Sequence, residues 1–119
     1  MDLIAKAASK QKVLKYQYNG NYYSRASKRL RENSSKIQAN IHESEDKLRE
    51  INADTSDSYG DVITDFQEGI RSYKTKISYI IEEAERKMKS IDLAADKAYE
   101  KAEKYYRLAE EEKRKSIEN

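Results

Sequence analysis

From Tyr59 to Ala109 apolar side chains recur every three or four residues. On a helical wheel of about 100° per residue, with Phe66 as origin, the positions within about 60° are apolar, Tyr or Gly, Lys87 excepted. The stripe runs from Tyr59, Val62, Ile63, Phe66, Gly69, Ile70 and Tyr73 through Ile77, Ile80, Ile81, Ala84, Met88 and Ile91. It ends in Ala95, Ala98, Tyr99, Ala102, Tyr105, Tyr106 and Ala109. Most of the charge falls on the opposite face, so the pattern predicts a long amphipathic helix with one wide stripe to bury. Residues eleven apart match in character (Phe66, Ile77, Met88, Tyr99), a period that predicts a nearly straight or slightly right-handed helix.

The first half of the chain carries a narrower stripe. Asp2 is placed to cap a helix starting at Leu3, with Leu3, Ala7, Leu14 and Tyr18 on one face. Past Asn19-Gly20, the strongest turn signal in the chain and a candidate break, the face continues as Tyr22, Tyr23, Ala26, Leu30, Ile37, Ile41, Leu48 and Ile51. From Leu30 to Ile51 the spacing is heptad-like, with Ser34 and Ser44 in the seam and Asn33 beside it. Residues 52–60 are rich in Asp, Ser, Asn and Thr, and Ser58 and Asp61 have capping-box spacing. The expected fold is therefore all-α: helix one over about 3–51, a turn over about 52–58, and helix two over about 59–115. Together they form a single antiparallel, coiled-coil-like hairpin domain. Pairing about the turn sets Leu48 near Phe66, Ile41 near Tyr73, Ile37 near Ile77 and Leu30 near Ala84. Gly69, at the stripe edge, is expected to allow close approach.

Composition agrees with long helices. The 119 residues include 39% charged ones, no Pro, no Cys and three Gly. No apolar run approaches a membrane span, and the N-terminus lacks the apolar core of a cleavable signal peptide. A cytoplasmic location is expected, and export by a route that reads a folded signal is compatible with it. The net charge of +2 is unevenly placed: residues 1–40 hold nine Lys/Arg against two acidic residues, and residues 41–70 hold two against nine.

No catalytic constellation is present. His42 is the sole His, and Glu43, Glu45 and Asp46 beside it do not make a metal-ligand spacing. There is no phosphate-cradling Gly loop and no nucleophile elbow. The chain reads as a non-enzyme without cofactor or metal. The wide stripe of helix two exceeds what helix one can cover, so Ile63, Phe66, Ile70, Ile81 and Tyr99 are expected to meet a partner, with Ile63, Ile70, Ile81 and Tyr99 along an open edge. That partner is another helical protein or a second copy. Tyr16, Tyr18, Tyr22 and Tyr23 alternate with basic residues between Lys10 and Arg31, a pattern that can track phosphates and stack bases. Because several of these tyrosines are placed to pack on helix two, nucleic acid is not the expected partner, and little binding is expected at physiological salt.

A Cys-free, Pro-free hairpin with a central turn resembles the WXG-type proteins of bacterial type VII secretion. It looks closer to the longer hairpins that accompany LXG toxins. The turn lacks Trp-x-Gly and offers Tyr59-Gly60 instead. The family's export signal, an aromatic followed four residues on by an acid, is matched in spacing by Tyr99/Glu103 and Tyr106/Glu110, and further upstream by Tyr79/Glu83. The resemblance implies a targeting or chaperone-like factor that binds a toxin's helical leader. The alternatives are a self-associating coiled-coil structural or adaptor protein and, third, a basic nucleic-acid-binding hairpin.

Overall fold

The computed structural model describes residues 3–55 and 61–118, and the side-chain surroundings of 3–51 and 66–117. Both stretches are helical: α1 spans Leu3–Thr55 and α2 spans Asp61–Glu118. There is no strand among the described residues. The chain is an all-α antiparallel hairpin. Helix one continues past the expected end at residue 51, and the expected caps at Asp2 and Ser58 lie outside the described residues.

Two compact units divide the hairpin, each with a segment of both helices. The terminal unit comprises Met1–Glu32 with Ile91–Asn119, and the central unit comprises Asn33–Ser90. In the terminal unit Ser9 meets Glu112, Asn21 meets Tyr106 and Ser27 meets Ala95. As one helix advances the other retreats, so the pairing is antiparallel.

Burial follows alternating steps of three and four. In helix one the positions Ser9, Val13, Tyr16, Gly20, Tyr23, Ser27 and Leu30, then Ser34, Ile37, Ile41, Ser44, Leu48 and Ile51, are all buried or half-buried. In helix two the same holds for Gln67, Ile70, Lys74, Ile77, Ile81, Ala84 and Met88, then Ile91, Ala95, Ala98, Ala102, Tyr105, Ala109, Glu112 and Ser116. This is the 3.5-residue period of a left-handed coiled-coil seam. The eleven-residue, nearly straight reading of helix two is therefore corrected. A wheel at 3.6 residues per turn drifts by about 20° per heptad against such a seam. Over about seven heptads the drift broadens the projected stripe. It takes in Phe66, Tyr73 and Ile80 on one flank at its start and Tyr99 on the other flank near its end; all four are exposed.

The candidate break at Asn19-Gly20 does not occur. Helix one runs through it, and Gly20 is buried against the ring of Tyr106. A Cβ at Gly20 would lie 2.6 Å from Tyr106 Cε1. The glycine serves close packing between helices, not a turn. Gly69 has the opposite fate: nothing lies within 4 Å of the Cβ position, so it brings no neighbour close.

The pairing is also shifted. Ser27 and Arg31, on either side of Leu30, bond to Ala95 and Asp96. Leu30 thus faces a stretch about three turns beyond Ala84. In the central unit, Phe66 and Tyr73 are exposed and the buried apolar side chains are Ile41 and Ile81. Side chains on both helices lean towards their own N-termini, which offsets antiparallel partners from residues at equal height in this direction.

Candidate interaction surfaces

The seam of the terminal unit is built from small residues and tyrosines. Ser9, Gly20, Ser27, Ala95, Ala102 and Ala109 are buried with Val13. Small side chains let the backbones approach, and the hydroxyls then reach across. Ser27 Oγ donates to the Ala95 carbonyl at 2.9 Å, and Ser9 Oγ donates to Glu112 Oε1 at 2.9 Å. Tyr106 Oη donates to Asn21 Oδ1 at 2.7 Å. No buried side-chain N or O among the described residues lacks a partner, as burial of polar groups requires.

Tyrosines fill the gaps between the small residues. Tyr23 stacks on Tyr105 with ring centroids 5.8 Å apart and an interplanar angle of 2°. Tyr16 lies at 6.3 Å from Tyr105, and Lys101 Nζ sits 5.2 Å from the Tyr23 centroid. Tyr22 meets Tyr23 edge-on at 5.3 Å and remains 58% exposed. Tyr18 is 66% exposed. The four basic-segment tyrosines therefore split: Tyr16 and Tyr23 belong to the seam, and Tyr18 and Tyr22 do not.

The central unit buries aliphatic side chains and leaves a different surface. Phe66, Tyr73 and Ile80 stand one heptad apart on the same flank of α2, exposed by 64%, 56% and 63%. They form an apolar ridge about 21 Å long, given a rise of ~1.5 Å per residue. Of the expected partner-facing residues, Phe66 lies on this ridge and Ile70 is half-buried in the seam beside it. Ile81 is buried in the seam and does not belong to an open edge. Its heptad position points it at helix one. Ile63 lies outside the residues whose side chains are described. Tyr99 is exposed, but in the terminal unit on the other flank of α2. Tyr73 and Ile80 fall inside the wide stripe of the sequence but are exposed in the structure. A strict heptad count from Ile70 would have separated them from the seam.

Of the export-type pairs, Tyr99 and Glu103 are both exposed. Tyr106 is half-buried through its contacts with Gly20 and Asn21, and Glu110 accepts from Lys113 at 3.3 Å. Glu83 pairs with Arg86 at 2.7 Å. His42 is exposed, with Glu45 3.9 Å away one turn on. No group of potential metal ligands occurs among the described residues, and no helix is long and apolar enough to cross a membrane. No family model matches the chain, and no curated protein or solved structure matches it either.

Proposed function

We propose that the protein is a non-enzymatic helical binding partner, acting as a targeting or chaperone-like factor for a type VII secreted toxin. The observation that carries the binding role is the ridge Phe66, Tyr73 and Ile80. Three large apolar side chains in register along one helix flank offer a row of anchors to an amphipathic helix laid beside them. The assignment to type VII secretion rests on the hairpin form and on the exposed Tyr99/Glu103 pair. On this reading the chain meets its partner in the cytoplasm and accompanies it to the secretion machine.

Co-purification with the helical N-terminus of a candidate toxin, with secretion measured alongside, tests both parts. Tyr73→Glu and Ile80→Glu should abolish co-purification while leaving the melting temperature nearly unchanged. Glu103→Gln should leave the complex intact and reduce delivery. Retention of the partner by both ridge variants would reject the ridge as the binding surface. Undiminished delivery with Glu103→Gln would reject the export role. A second reading, self-association, draws on the same ridge, which could equally meet a second copy. Sedimentation of the isolated chain separates the two: a dimer lost on Tyr73→Glu favours self-association.

A further inference from the structure

The outer face of helix one in the terminal unit differs from every surface used so far. Residues 3–31 contain no Asp or Glu and eight Lys/Arg. Lys15, Arg25, Lys28 and Arg29 are exposed and lie away from the seam. Tyr18 and Tyr22 stand among them. From Lys15 to Arg29 the face extends about 21 Å at ~1.5 Å per residue.

The tyrosines decide what kind of polyanion suits this face. A purely electrostatic surface needs only the cations. Here Tyr22 is exposed yet oriented: its ring meets Tyr23 edge-on, and Tyr23 is fixed by stacking on Tyr105. Arg25 Nε donates to the Asn21 carbonyl at 3.3 Å, which draws the guanidinium along the same helix face. A supported aromatic plane between cations is the arrangement that stacks a base and neutralises the phosphates on either side. Tyr16 and Tyr23 are committed to packing against Tyr105 of helix two, whereas Tyr18 and Tyr22 are exposed.

We infer that the outer face of helix one binds single-stranded nucleic acid, with Tyr22 and Tyr18 stacking bases and Lys15, Arg25, Lys28 and Arg29 holding phosphates. The recognition is tolerant of sequence, since every base offers a π-face and nothing on this face reads base edges. None of these residues belongs to the apolar ridge on helix two.

Fluorescence anisotropy of the full chain with a labelled oligothymidine of about twelve nucleotides tests it. Four neutralised phosphates imply that affinity falls on the order of 50-fold between about 50 and 200 mM salt. Tyr18→Ala and Tyr22→Ala should each weaken binding roughly tenfold, as expected for loss of one stacked base, and Tyr22→Phe should retain it. Lys15→Gln with Arg29→Gln should flatten the salt dependence. Circular dichroism melting of each variant guards against unfolding, and Tyr18, which no other ring meets in the described contacts, provides the cleaner aromatic variant. Unchanged affinity in both alanine variants would overturn the inference, leaving charge alone. So would phosphatidylserine vesicles binding as tightly as the oligonucleotide, or no binding at the lower salt.

Discussion

The terminal and central units share one heptad period and fill it with different chemistry. In the terminal unit, Gly20, Ser27, Ala95 and Ala102 bring the backbones close enough for hydroxyls and tyrosines to bond across. In the central unit, Ile37, Ile41, Leu48, Ile77, Ile81 and Met88 fill the seam with bulk. The interhelical hydrogen bonds described above all lie in the terminal unit. Hydrogen bonds are directional and fix register, whereas aliphatic contact is tolerant of small slips. The same repeat thus specifies position at one place and supplies apolar burial at another. The unit with the aliphatic seam is also the one that leaves Phe66, Tyr73 and Ile80 exposed.

Register has the largest expected effect and is read by crosslinking. Cysteines replacing Ser27 and Ala95 should oxidise to an intrachain disulfide in nearly all molecules, and cysteines replacing Leu30 and Ala84 in almost none. The reverse result, read on non-reducing gels, would restore pairing centred on the turn.

Next in size is the contrast within the central unit. Ile81→Ala should cost about 2–5 kcal/mol by chemical denaturation, the range for a truncated core aliphatic. Its neighbour Ile80→Ala should stay within about 0.5 kcal/mol, as for a surface change. Equal costs would mean that the seam does not divide these two residues.

Overpacking probes the terminal unit. Ala102→Leu should destabilise by about 1–3 kcal/mol because closely spaced backbones leave no room for the added methylenes. Ala94→Leu, on the exposed surface of the same unit, should be nearly neutral. A neutral Ala102→Leu would show that the helices are not held close there.

The smallest effect is the most informative about Gly20. Replacement by Ala gains about 1 kcal/mol of helix propensity and meets the Tyr106 ring. Gly20→Ala should therefore destabilise by up to about 2 kcal/mol, the clash outweighing the gain. In a Tyr106→Ala background the same change should become stabilising. A stabilising Gly20→Ala in the parent chain would show that the ring yields freely.

Periodicity, the absence of Pro and the polar cluster at 52–60 were enough to read two long helices and a reversal. Apolar spacing from Leu30 to Ile51 also disclosed the heptad, including its serines. These are local properties, set by backbone preference and by which face must leave water. The registry was not legible in this way, because it depends on which side chains meet across the pair. Ser27 with Ala95, and Gly20 with Tyr106, are non-local matches that no single helix displays. Asn19-Gly20 reads as a turn in isolation, and only the facing tyrosine shows that its missing Cβ admits a ring. Likewise Ile81 and Tyr73 belong to one apolar stripe in projection. Which of them is covered was decided by the coiled-coil seam, since supercoiling replaces the 3.6-residue period of a lone helix with 3.5 once a partner is present.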